Sequence, residues 1–235
     1  MRTPIVNAIT LAAAIVTLAA TASSADARAT SPSTSVHYDA SVSALTLAQE
    51  TQGDSLSTAA DMNRTDGSTT SKVWVVEISD LQCPFCKQWH DTVFPKLRDE
   101  FIKPGKIRFA YVNFPLSQHK NAMAAATSAM CASAQGKFWA MHDGLFSTQE
   151  KWEGLSDPSA YFEGLATKAG VDIPKYKACL GSTSIRALIE ADRDRAQRAG
   201  VQSTPSFIIA NKLIDGAMPW NDMRKAVNDA LAAAK

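Results

Sequence analysis

The sequence predicts an α/β fold: a central mixed sheet sandwiched by helices, with an all-helical block inserted between its two halves. Three observations predict it. Residues 73–112 read as strand, helix, strand; a long helical stretch follows; after Pro205 the pattern returns to two short strands and a closing helix. The order is β-α-β, helical insertion, β-β-α, carried by residues 73–235 with the insertion at about 117–199.

The elements follow in chain order. Val73-Trp74-Val75-Val76-Glu77-Ile78 is a nearly continuous β-branched and apolar run, as expected of a strand buried on both faces. A helix should open at Pro84 and run to about Ile102, kinked in its middle by Pro95, which brings no N–H donor to the helix. Gly105 closes it, and Ile107–Val112 forms the second strand. Two strands joined through a helix are expected parallel, with a right-handed crossover. The insertion reads as helices over His119–Ala134, Phe138–Phe146, Pro158–Ala169, Pro174–Leu180 and Ser184–Ala199, the last with Ile185, Leu188, Ile189, Ala196 and Ala199 at helical spacing and Gly200 as its stop. Ser206–Ala210 has the period of a strand, Asn211-Lys212 suits a tight turn into Leu213–Asp215, and an amphipathic helix runs from about Trp220 to Ala233.

Ahead of this body, residues 1–29 read as a secretory signal. Arg2 supplies a thin positive region, Ile5–Ala20 an apolar one too short to span a membrane comfortably, and small residues in an A-x-A pattern follow at Ala25–Ala27 or Ala27–Ala29. An uncleaved anchor is the alternative. Residues 30–72 hold 17 Ser or Thr among 43 and one aromatic, Tyr38, a composition expected of a flexible spacer that buries too little apolar surface to order itself. Export would place the chain in a periplasmic or extracellular, oxidising compartment, where disulfides persist. The formal net charge of +1 lacks the basic excess of a nucleic-acid binder. A hydrophobic fraction of 46% with nine Phe and five Trp supports a buried core, and beyond the first thirty positions no apolar run reaches the length of a membrane span.

The chemistry concentrates in Cys83-Pro84-Phe85-Cys86. A C-x-x-C pair that follows a buried strand and opens a helix puts its first sulfur at the helix N-terminus, where free N–H groups and the dipole favour a thiolate. Cys86 lies one turn on, within reach to close a disulfide, and Pro84 fits the first turn, where no N–H is needed. Cys83 is thus expected to be the exposed nucleophile and Cys86 the more buried resolving thiol. A zinc knuckle would want a second pair at similar spacing, whereas Cys131 and Cys179 each stand alone. An inert structural bridge is the other alternative.

The run Glu77–Cys86 (EISDLQCPFC) resembles the active-site segment of the DsbA-like thiol-disulfide oxidoreductases, and so do Gly105–Leu116, Gln135–Phe146 and Gly200–Phe207. The resemblance covers about Lys72 to the C-terminus. It implies a thioredoxin fold with a helical insertion, and an exported enzyme that exchanges disulfides with unfolded or reduced exported proteins. It also implies a membrane partner that re-oxidises the pair, and no cofactor or metal beyond the Cys83–Cys86 disulfide itself. By position, Thr204-Pro205 would be the family's cis-proline loop, binding an extended substrate together with Pro84 and Phe85. Glu77 would be its buried acid, relaying a proton to or from Cys86; a partly exposed strand-end glutamate is the alternative. Cys131 and Cys179, both in the insertion, are expected to form a structural disulfide of the kind some relatives carry, with two buried thiols as the alternative.

Phe85 bears on direction. Strongly oxidising members place a histidine there; phenylalanine donates no hydrogen bond to the Cys83 thiolate, so a milder oxidant is expected. A threonine before Pro205 is shared with isomerase-like relatives. The alternatives are therefore an isomerase or reductase on the same fold, or a non-catalytic chaperone or copper-binding protein using Cys83 and Cys86 as soft ligands. The polar spacer is too short for a dimerisation module, so a monomer is expected. His90 and Lys87 could tune the pair but read first as packing or surface residues, and His119 and His142 read as insertion core.

Overall fold

In a computed structural model, residues 55–234 are described; the signal segment and the first part of the spacer lie outside them. The elements are α1 (residues 55–63), β1 (Thr65–Gly67), β2 (Trp74–Ser79), α2 (Pro84–Thr92), α3 (Phe94–Leu97), a π-helical turn (Arg98–Ile102), β3 (Arg108–Asn113), α4 (Ala122–Ser133), α5 (Phe138–Ser147), α6 (Gln149–Trp152), α7 (Ser159–Lys168), α8 (Ile173–Leu180), α9 (Thr183–Arg198), β4 (Ser206–Ile209), β5 (Lys212–Asp215) and α10 (Trp220–Ala233). The sheet has five strands in the order β1-β3-β2-β4-β5. β2 runs parallel to β3, and the other pairings are antiparallel. This is the α/β thioredoxin-like arrangement with extra helices between β3 and β4.

Three expectations need correction. The spacer does not extend to Lys72: residues 55–63 are helical and Thr65–Gly67 pairs with β3 at the sheet edge. The physical reason is a set of specific anchors that composition does not reveal. Ser133 Oγ donates to the Ala60 carbonyl at 2.6 Å, Asn63 Nδ2 donates to Ser133 O at 3.1 Å, and the Arg64 guanidinium grips the buried Asp192 carboxylate of α9. The predicted helix from Pro84 to Ile102 is broken into α2, α3 and the π-helical turn, because Pro95 has no N–H for the preceding turn and α2 ends three residues before it. The β4–β5 turn centres on Ala210 and Asn211, with φ of 48° and 63°, one residue earlier than expected; two successive positive φ values suit the twist of a tight hairpin. Short α6 had no periodic signal at all.

Two cores position the site. One face of the sheet packs Val75, Phe109 and Phe207 under α2 and α10, with the Trp89 and Phe207 ring centroids 4.7 Å apart. The other core is that of the inserted helices, where alanines of α4 allow close approach to Met141, Trp152, Phe162 and Tyr176. It also takes in Cys83, Cys86 and Tyr111, so the C-x-x-C segment sits where insertion and sheet meet. Cys131 of α4 and Cys179 of α8 are joined by a disulfide with a Cα–Cα distance of 5.7 Å. Gly200 ends α9 at φ 92°, with its N–H on Gln197 O and the Val201 N–H on Ala196 O.

Candidate active site

β2 is the central strand, and the chain leaves it at Ser79 to make one tight loop before α2. Asp80 organises that loop. Its buried carboxylate accepts from the Gln82 N–H at 2.7 Å, the Leu116 N–H at 2.9 Å and His119 Nδ1 at 2.7 Å, while its carbonyl accepts from Cys83 N at 3.0 Å. Gln149 Nε2 donates to the carbonyls of Leu81 at 2.8 Å and Cys83 at 3.2 Å. Gln82 Oε1 accepts from Asn121 N at 2.7 Å and its Nε2 donates to Glu153 O at 3.1 Å. The loop is therefore held from the β3–α4 connection, the N-cap of α4 and α6 at once.

Cys83 stands at the N-cap of α2 in extended conformation, with Pro84 next and no side-chain oxygen capping the first turn. The Cys86 thiol hydrogen-bonds toward the Cys83 sulfur, and the backbone N–H groups of Phe85 and Cys86 favour its anion, so its pKa falls to about 6 although burial opposes this. The Cys83 thiol also donates to the Thr204 carbonyl at 3.4 Å, and Thr204-Pro205 is a cis peptide. Cys83 is only 3% exposed, a correction to the open nucleophile expected: the Thr204 carbonyl side of the proline loop covers it. The exposed neighbour is Phe85, at 62%. Cys86 is buried completely, and burial pushes its pKa well above the usual thiol range, the Cys83 thiolate adding to the effect. Both cysteines are free thiols here.

Glu77 lies on β2 beneath the pair and is fully buried. Burial raises its pKa to about 7, against the pull of the Ser79 hydroxyl and the charge of His90. The alternative of an exposed strand-end glutamate does not hold. The structure thus brings Glu77, Cys83, Pro84, Phe85, Cys86, Thr204 and Pro205 to one place, while Cys131 and Cys179 are apart from it in the insertion.

The histidines are more engaged than expected. His90 faces Asp91 with Nδ1 at 3.0 Å and Asp143 with Nε2 at 3.2 Å; burial opposes its charge, but the two carboxylates prevail and raise its pKa. Burial lowers the pKa of His142 to about 4, and its Nδ1 donates to Asp143 at 2.9 Å. Among the described residues, His90, His142 and Asp143 form the one group compact enough for a metal ion, but Arg98 already occupies Asp143 with Nη1 at 2.9 Å. An ion-paired carboxylate beside a guanidinium is a clamp between α2 and α5, not a cation site. Lys87 pairs with Asp91 at 2.6 Å. Sequence reasoning missed Asp80–His119, Gln149 and Ser79 because their partners are far along the chain; the Asp three residues before Cys83 was the available signal.

The family model described as Thioredoxin matches residues 59–229. The "Probable disulfide bond formation protein D" of Bacillus cereus is 30% identical over 168 residues, covering 70% of this chain and 77% of that protein. Among solved structures, oxidised BdbD from Bacillus subtilis superposes with a TM-score of 0.65 at 25% identity, covering 72% of this chain and 92% of that one. A periplasmic thioredoxin-like protein from Salmonella enterica serovar Typhimurium shares the fold, with a TM-score of 0.57 at 24% identity over 75% of this chain and 97% of that one.

Proposed function

The chain belongs to the DsbA-like thiol-disulfide oxidoreductases of the thioredoxin fold, and from that premise we propose that it oxidises reduced, exported proteins through Cys83 and Cys86. The observation that carries the reading is the asymmetry of the two sulfurs. Cys83 has its pKa lowered to about 6, and Cys86, one turn on, is held protonated. A disulfide between them is poised to accept attack at Cys83, because the reduced state it yields, thiolate plus thiol, is already stabilised.

The sequence of steps follows. A substrate thiolate attacks Cys83 Sγ; the Cys83–Cys86 bond breaks and its electron pair passes to Cys86 Sγ, which takes a proton. A second substrate thiolate attacks the substrate sulfur of the mixed disulfide, forming the substrate disulfide and releasing Cys83 as thiolate. Glu77, with a pKa of about 7, is the buried acid suited to give Cys86 its proton and to take it back on re-oxidation. The Thr204-Pro205 loop and the exposed Phe85 ring form the surface that an extended substrate would meet beside Cys83. The signal-like segment 1–29 supports export, and a membrane partner would restore the disulfide.

The test uses the oxidised chain with a reduced, unfolded protein substrate and follows substrate thiols and product disulfides by mass spectrometry. One disulfide should form per enzyme disulfide consumed, and Cys83→Ser should abolish the reaction. Net reduction of a disulfide-bonded substrate by the dithiol form, with no oxidation, would favour the reductase. Phe85, whose side chain donates no hydrogen bond to Cys83, is the residue that keeps that second reading in view.

A further inference from the structure

No hydrogen bond joins the Glu77 carboxyl directly to Cys86. Neither carboxyl oxygen of Glu77 has a hydrogen-bond partner, and both are sealed from solvent. Buried polar atoms without partners are rare, and here they gather in one place. Glu77 and Ser79 of β2 lie in register with Tyr111 and Asn113 of β3, so all four side chains project from the same face of adjacent parallel strands. All four are buried, and the Glu77 carboxyl oxygens, Ser79 Oγ, Tyr111 Oη and Asn113 Oδ1 are each unpaired.

Ser79 shares its face of β2 with Glu77, and its hydroxyl, which closes no hydrogen bond here, favours the anions of Glu77, Cys86 and Tyr111 alike. Tyr111 meets Glu77 and Cys86 only as charges, its own pKa driven far up by burial. A serine hydroxyl donates and accepts together and rotates freely, so it can take one proton while giving another.

We propose that the Ser79 hydroxyl is the positioning residue that carries the proton between Glu77 and Cys86. This rests on the role given to Glu77 above. As the substrate thiolate bonds to Cys83 Sγ and the Cys83–Cys86 bond breaks, the electron pair goes to Cys86 Sγ. Ser79 Oγ–H gives its proton to that sulfur and takes the Glu77 carboxyl proton, leaving Glu77 a carboxylate. Re-oxidation runs the same relay backwards. The titratable or charged groups facing the relay are Glu77 of β2, Cys86 and His90 of α2, Tyr111 of β3 and Asp80 of the loop.

The test is stopped-flow reduction of the oxidised full chain by dithiothreitol from pH 5 to 9. The parent rate constant per thiolate should be high while Glu77 is protonated and fall above about pH 7. Glu77→Gln and Ser79→Ala should both flatten that profile, each slowing the low-pH rate by about 100-fold, the low end for a single positioned acid. Ser79→Thr should restore the profile, which a purely structural serine would not require, and Tyr111→Phe should keep it. If Glu77→Gln flattens the profile while Ser79→Ala leaves it intact, the relay is overturned and the role of Glu77 stands. A flat profile in Tyr111→Phe with an intact one in Ser79→Ala would move the path to Tyr111 and also overturn it. An unchanged profile in Glu77→Gln would sink the role of Glu77 and the relay with it.

Discussion

Phe85 is where a single residue sets the working range of the site. The Phe85 side chain offers no donor, so the thiolate depends on Cys86, the Thr204 hydroxyl and two backbone N–H groups, and its pKa settles at about 6 against the opposing effect of burial. Iodoacetamide labelling of the reduced chain should therefore show Cys83 half-reactive near pH 6 and Cys86 unreactive below pH 9. Phe85→His would supply one charge-assisted hydrogen bond, worth about 1.5 kcal/mol at the low end, and should lower the Cys83 midpoint by about one unit. Glu77 makes a stability prediction of opposite sign. Its pKa is about 7 folded and 4.5 unfolded, so the folded chain binds more protons between those values and loses stability as pH rises through that window. Glu77→Gln should match the parent in urea at pH 4.5 and exceed it at pH 8 by about 3 kcal/mol. The C-x-x-C pair and the buried acid were legible because four and ten consecutive residues carry them. The brackets of Asp80, Gln149 and Ser79 were not, since each depends on which distant strand or helix the fold brings up.

At the level of elements, periodicity located most helices and strands to within a few residues, and α10 at its observed ends. It failed where local pattern is not what orders the chain. β1 is three polar or glycine residues, Thr65-Asp66-Gly67, and exists because β3 offers an open edge. Gly67 adopts φ 86° with the Ile107 carbonyl oxygen 2.3 Å from where a Cβ would sit, so no other residue fits without moving backbone. The arm's main anchor is the Arg64–Asp192 pair, whose carboxylate also accepts from the Asn113 backbone and side chain. Asp192→Ala would leave the buried Arg64 guanidinium with Asp61, half exposed, as its remaining carboxylate and should cost about 3 kcal/mol in urea unfolding, the low end for a broken buried pair. The paired change Arg64→Leu with Asp192→Leu should recover part of that loss, because the cost of the unpaired charge disappears while the two Asn113 donors stay without their acceptor.

For the whole molecule, the helical insertion and the sheet share one buried boundary, and the redox pair lies on it. The insertion's own brace is the disulfide between Cys131 and Cys179, 48 residues apart. Replacing both with alanine should cost about 2–4 kcal/mol while leaving Cys83 reactivity unchanged. The fold class and the reaction class could be read from the sequence because both follow from patterns that repeat locally. The spacer's lower boundary could not, because composition describes what a segment buries on its own and not what a partner surface offers it. Cys83 and Cys86 should form a disulfide strong enough to oxidise other proteins. The measurement is the equilibrium reduction potential of the pair against glutathione, with the bonded cysteines identified by peptide mass spectrometry. A value between about −120 and −180 mV, with the bond mapped to Cys83–Cys86, is predicted. A value of about −230 to −270 mV, the range of a reductant, or a pair that never closes, would contradict it.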